Sequence, residues 1–228
     1  MTGLDILLAL FVLLIAGISL IVKTFTRRKH RRLLKEFTPL SERLQWKIEE
    51  SEVEGPAIRL QGETASGIEW EMILAGRDRK GNHLSRWHSS EVALEGGAVV
   101  IGYVPQGAIV EDVEEELTPE EMRAEVLWRK VYARFGEDVP EEVTPYEVGS
   151  LSFREYFSTL ALARDDISHL LDSSIEALLL EWTQRYPEST PPLILFTGEG
   201  LTLATEQLDR FDAIEDLVKI GTMMAEKR

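Results

Sequence analysis

Residues 6–22 read ILLALFVLLIAGISLIV, 17 consecutive positions without a charge, and Leu4 extends the apolar run across the single Asp5. That length is near the lower limit for a bilayer-spanning helix. At about 1.5 Å of rise per residue it covers roughly 25 Å against a hydrocarbon core of about 30 Å, a mismatch that snorkelling flanks or slight thinning absorbs. The rival fate, a cleaved signal peptide, requires positive charge before a shorter apolar region and a small-residue cleavage site after it. The flanks here are the reverse: MTGLD holds no Lys or Arg, whereas Lys23, Arg27, Arg28, Lys29, Arg31 and Arg32 follow the run directly. The positive-inside rule then places the N-terminus outside and everything after Val22 in the cytoplasm, at the inner membrane if the cell is bacterial. The expected lipid contact is the bilayer itself through residues 4–22. The basic cluster acts as a topological stop signal and implies no specific lipid.

Charge bounds the rest of the chain. Of 228 residues, 25 are Lys or Arg and 40 are Asp or Glu. Setting aside the six basic residues and one Asp of residues 1–32 leaves 19 basic and 39 acidic side chains, a net charge of −20 for residues 33–228. Such a region is repelled by nucleic-acid phosphate and by an anionic leaflet, so nucleic-acid binding and broad membrane-surface docking are disfavoured and a basic protein partner is favoured. With 44% hydrophobic and 29% charged residues the composition is globular. Cysteine is absent, which excludes disulfides, thiolate zinc sites, iron–sulfur clusters and a cysteine nucleophile.

The expected fold class is α+β: an N-terminal transmembrane helix with its basic juxtamembrane segment (residues 1–36), an antiparallel strand-rich domain of sandwich or open-barrel type (40–112), then a β-α-β-β-α unit within an α+β domain (118–228). Period-two alternation carries the strands. Leu44, Trp46 and Ile48 alternate with polar residues, as do Ile68, Trp70, Met72 and Leu74, with a shorter strand at Ile58 and Leu60. Residues 77–82 (RDRKGN) form a hairpin-type turn. Residues 84–89 and 92–94 are further strand candidates, and residues 98–104 are apolar on both faces, as a central strand requires. After the acidic run 111–116, Thr118, Pro119 and Glu121 open a helix whose stripe is Met122, Ala124, Leu127, Trp128, Val131, Tyr132 and Phe135. Residues 136–150 are an acidic, Pro-containing linker. A strand is expected over 156–163, then a helix capped by Asp165 or Asp166 with a restart at 173–176. A hairpin follows on Gly198-Glu199-Gly200, and an amphipathic helix carrying Leu208, Phe211, Ile214, Leu217, Val218, Gly221 and Met224 closes the chain.

The single span, the basic collar, and the pattern Phe153…Phe157, Leu170-Leu171, Trp182, Gly-turned hairpin and closing amphipathic helix are similar to bacterial single-span membrane-anchored proteins. The similarity covers the anchor and the last third of the chain. It implies no catalytic residues.

No catalytic or cofactor motif is present: there is no G-x-S-x-G elbow, P-loop, dinucleotide fingerprint, H-E-x-x-H or EF-hand loop. No catalytic, cofactor-binding or metal-binding residue is assigned. Of the histidines His30, His83, His88 and His169, the pair His83 and His88 lacks a third ligand at metal-site spacing. Asp165-Asp166 reads as a helix cap rather than an acid–base pair. Arg86 and Trp87 are the interface candidates, since Trp and Arg dominate interface hot spots; the alternative for Trp87 is a strand residue facing the sheet interior. Three functions follow in order. The first is a membrane-anchored cytoplasmic interaction module, an accessory or assembly subunit of a membrane protein complex. The second is a small-molecule or signal sensor on a membrane anchor. The third is a membrane-tethered hydrolase using His88 and Asp165 or Asp166.

Overall fold

The structure is a computed structural model and describes residues 35, 37–39, 41–51, 57–77, 83–109, 117–135 and 142–227. The apolar run 6–22, the basic cluster after it and the orientation read from them lie outside the described residues. No helix among the described residues is long and apolar enough to cross a membrane.

Nine strands form one antiparallel sheet: β1 (Lys47–Ser51), β2 (Ala57–Glu63), β3 (Glu69–Arg77), β4 (His83–Ser89), β5 (Val99–Tyr103), β6 (Thr144–Pro145), β7 (Phe157–Ala161), β8 (Leu193–Thr197) and β9 (Gly200–Glu206). Their order across the sheet is β1-β2-β3-β4-β9-β8-β5-β7-β6. Five helices with both ends among the described residues accompany it: α1 (Pro119–Phe135), α2 (Leu151–Tyr156), α3 (Arg164–Leu170), α4 (Ser173–Arg185) and α5 (Phe211–Ala225).

The expected α+β class holds, whereas a sandwich or open barrel confined to residues 40–112 does not form. Strands β1 to β4 make a meander, and the hairpin β8–β9 inserts between β4 and β5, with β9 on β4 and β8 on β5. Strand β5 then takes β7 on its other edge. The physical reason lies in β5, whose Val99, Val100 and Ile101 are all fully buried. A strand apolar on both faces needs neighbours along both edges, and the strands before it are already paired with one another. Strands from both sides of the acidic run 111–116 therefore share one sheet.

Register explains the core. Ile48, Leu60, Met72, Trp87, Leu203, Ile194 and Ile101 are successive cross-strand partners from β1 to β5, so their side chains lie on one face. Four helices cover that face with Phe153 of α2, Ile167 and Leu170 of α3, Ile175, Leu179 and Trp182 of α4, and Ile214, Leu217 and Met224 of α5. Phe37 closes it beside β1 by packing edge-on to Phe211, ring centroids 4.6 Å apart. Trp87 is fully buried here, stacked on Trp70 at 6.3 Å.

The opposite face has a smaller core, in which Val100, Leu160 and Leu195 pack under Leu127 and Val131 of α1. The capping box read from the sequence is present: Glu121 N donates to Thr118 Oγ1, and Thr118 N donates to Glu121 Oε2. Three cations on one stripe of α1 also bind backbone carbonyls in or beside the strands. Arg123 donates to Val104 O and Phe157 O, Lys130 to Tyr103 O and Arg134 to Ala204 O. Tyr132, expected in the apolar stripe, is instead 54% exposed.

Local corrections turn on where side chains do and do not cap the backbone and on one backbone turn. Residues expected as the start of a strand at 156 are preceded by a helix, α2, because Ser150 Oγ accepts from Phe153 N and turns the chain. Strand β7 begins only at Phe157. Neither Asp165 nor Asp166 caps α3; the capping position is Ala163, which makes no side-chain bond, and both aspartates lie in the first turn, complementing the helix dipole. The restart after α3 is real, with Asp172 accepting from Ser174 N and Ile175 N. At the N-terminal end residues 41–44 are helical, and Gln45 takes a positive φ of 58° before β1. Tyr186 ends α4 and donates to Asp216 Oδ2 of α5 at 2.7 Å, tying the two helices together.

Candidate functional site

The second face of the sheet changes chemistry along a single row. Reading register partners from one edge gives Pro145, Leu160, Val100, Leu195, Thr202, His88, Glu71, Gln61 and Lys47. The first four lie in the half that α1 crosses. From Thr202 onward the row is polar, and among the described residues none of α1 to α5 makes an extended contact with β1, β2 or β3. A face that must be buried is written in apolar side chains, and a face left to water or to a partner is not. The neighbouring row reads Glu49, Arg59, Ile73, Arg86 and Ala204.

Where β2 ends and β3 begins, the face runs into an open groove of about 730 Å³. Its lining includes Leu44, Trp46, Lys47, Gln61, Gly62, Glu63, Glu69, Trp70, Glu71, His88 and Ser90. Alternation sends residues 61 and 63 of β2 and residues 69 and 71 of β3 to the same side, and register sets Gln61 opposite Glu71 and Glu63 opposite Glu69. Three carboxylates thus face one lysine around the groove. A fourth, Glu91, accepts from Glu69 N at 2.8 Å. Arg59 Nε lies 3.5 Å from Glu71 Oε2. Trp46, half-buried, lies edge-on to Trp70 with ring centroids 5.3 Å apart, both rings on the opposite, helix-covered side of these strands. Gly62 is required between them, since a Cβ there would stand 2.5 Å from Trp70 Cζ2.

His88 sits in the polar row between Glu71 and Thr202, its Nδ1 2.9 Å from Thr202 Oγ1. Burial, reinforced by the Arg86 guanidinium, lowers its pKa from the ordinary 6.5, against the opposing pull of Glu71. The imidazole is therefore neutral at pH 7. A histidine that resists charging when folded leaves the unfolded chain binding more protons just below pH 6.5. Folding stability is expected to be unaffected by His88 above that pH and to fall as pH drops through 6.5 towards the lowered value. Urea unfolding across this window checks it: His88→Gln should flatten that part of the profile.

The structure separates the other residues read from sequence. Trp87, weighed as a surface anchor, is fully buried on the opposite face, so in this fold it is the interior strand residue of the alternative reading. Arg86, its neighbour in β4, points to the polar face and is half-buried. His88 and Asp165 line different clefts: Asp165 borders one with Tyr146, Arg154 and Ile167. Asp166 packs beside Gly97. The histidine–aspartate arrangement of the hydrolase reading is therefore not assembled. Sequence reasoning missed Gln61, Glu63, Glu69 and Glu71 as a group. The period-two pattern marks each as outward-facing, but only register makes them neighbours. Among the described residues no three His, Asp or Glu converge closely enough to ligate a metal ion.

Searches with protein-family models, curated proteins and solved structures return no match to this chain.

Proposed function

We propose that this chain is a membrane-anchored cytoplasmic interaction module, an accessory or assembly subunit of a membrane protein complex, whose protein partner docks on the polar part of the second face of β1–β4 and β9. One observation carries the reading: the cross-strand row turns from apolar to polar where the cover of α1 ends, leaving a rigid polar platform on a sheet whose other face is fully packed. Side chains on paired strands are held at fixed spacing of about 5 Å, which suits repeated recognition of another protein surface. The acidic groove at its end and the net charge of −20 for residues 33–228 favour a basic partner. The apolar run 6–22 and its basic collar supply the anchor and the cytoplasmic orientation in this reading.

Photo-crosslinking in native membranes tests it. A crosslinker replacing Gln61, on the polar row, is expected to give one stoichiometric adduct to a single protein. A crosslinker at Gln184, exposed on α4, is expected to give none. Equal labelling from both positions, or no adduct at Gln61, would remove the platform as a docking face.

A further inference from the structure

We infer that Arg59 and Arg86, which flank Ile73 on the polar part of the second face, clamp an aspartate or glutamate side chain of the docked partner; this rests on the docking reading above. Register makes Ile73 of β3 the cross-strand neighbour of both, Arg59 on β2 and Arg86 on β4. Their backbones stand two strand spacings apart, about 10 Å, a gap that two arginine side chains leaning inward close around one carboxylate. Between them Ile73 is only 7% exposed, although none of α1 to α5 makes an extended contact with β3 among the described residues. Arginine stems shield an apolar neighbour in this way while the guanidinium heads stay at the surface.

Two observations point to an acidic occupant. The first is local charge. In a region of net charge −20, this row gathers cations: Arg134 of α1 donates to the carbonyl of Ala204, the cross-strand partner of Arg86, and so continues the strip begun by Arg59 and Arg86. The second is Arg59 itself. Its Nε stands 3.5 Å from Glu71 Oε2, beyond the about 2.7–2.9 Å of a charge-assisted bond, and finds no hydrogen-bond acceptor among the described residues. Glu71 therefore does not saturate this guanidinium, whose side chain is 29% exposed, and a partner carboxylate can take two of its outer N–H groups side by side. Glu49, opposite Arg59 on β1, and Glu71 border the row and confine the attraction to the space above Ile73. Net charge steers the encounter over long range, whereas this row fixes what sits at one point, so a partner basic overall meets it with a single acidic side chain.

The test uses the full chain in native membranes and reads the Gln61 photo-adduct. Arg59→Gln with Arg86→Gln is expected to lower its yield about tenfold, even though the chain becomes more acidic. The same loss of charge on the helices of the other face, Arg164→Gln with Lys219→Gln, both exposed, is expected not to lower it. An unchanged or higher yield from the Arg59 and Arg86 pair, or an equal fall from the remote pair, shows that overall charge alone governs docking and overturns the clamp. Circular dichroism checks folding; should the glutamine pair not fold, Arg59→Lys with Arg86→Lys decides instead, with a loss of about threefold expected because an ammonium lacks the planar fork. Carbodiimide treatment of Arg86→Lys identifies the occupant, since a carboxylate held there condenses with the introduced amine to an amide. Expected is coupling of position 86 to an aspartate or glutamate of the protein that the Gln61 crosslinker captures; coupling only within this chain, or none, overturns the clamp. Either failure beside an intact Gln61 adduct in the otherwise unmodified protein leaves the docking face standing, whereas absence of that adduct overturns the docking face itself.

Discussion

Replacing Trp87 with alanine is expected to destabilise the fold by about 3–5 kcal/mol, the range for removing a large aromatic from a packed core. Trp87 is fully buried at the middle of the cross-strand row that runs from Ile48 to Ile101, and its indole fills the space between Trp70 and α5. Truncation empties that space where three elements meet, so the neighbours cannot collapse into it without shifting a helix. The indole N–H of Trp87 has no acceptor among the described residues, so Trp87→Phe, which removes that donor along with one ring, is expected to cost markedly less than the alanine. Urea unfolding followed by far-ultraviolet circular dichroism measures both. A cost for Trp87→Ala within the ordinary surface range of about 0.5 kcal/mol would show that the indole is not a central packing element.

Gly221→Ala is expected to be destabilising by about 2 kcal/mol, although alanine is the better helix former by about 1 kcal/mol. The added Cβ would stand 2.5 Å from Trp87 Cδ2 and 2.6 Å from Cε2. Those are atoms of a rigid ring already stacked on Trp70, not the free end of a flexible chain, so overpacking outweighs propensity. The two sites are therefore coupled. In a Trp87→Leu background the same Gly221→Ala change is expected to be neutral or stabilising, because the obstructing ring is gone and only the propensity gain remains. A double-mutant cycle measures the coupling, expected at about 1–3 kcal/mol; additive effects would mean that α5 can move away from the sheet at little cost.

The case of Trp87 also shows how far local pattern reaches. Its neighbours Arg86 and His88 are polar, and a reader of the sequence meets tryptophan in a polar context. Alternation resolves the matter only once the strand is known to be half-covered, since 87 and its neighbours then face opposite sides. The helix that packs on it, α5, comes from more than a hundred residues downstream, and the glycine that admits it is at position 221. The same limit applies to the groove. That Glu63 and Glu69 face outward is legible from the core positions Gly62 and Trp70 beside them, but that they oppose each other depends on the β2–β3 register. The cap at Thr118 and Glu121 was legible because threonine, proline and glutamate stand together in the capping-box pattern. Asp172 could be found only as a restart of the helical period. At Ser150 the short α2 was hidden by the β-favouring run that follows it.

The sequence by itself determined the properties that depend on neighbours along the chain: the apolar run of residues 6–22 with its one-sided basic flank, the acidity of everything after it, the absence of thiol chemistry, and most strands and helices from their periods. The tertiary structure alone decided which strands pair, that residues before and after the acidic run 111–116 build one sheet, and that α1 covers only part of its second face. The reason is that hydrogen-bonding edges carry no address. Any strand can pair with any other, and the choice falls to the arrangement that buries every doubly apolar strand, here β5 between β8 and β7. The polar half of the sheet, and the groove at its end, are the remainder of that choice.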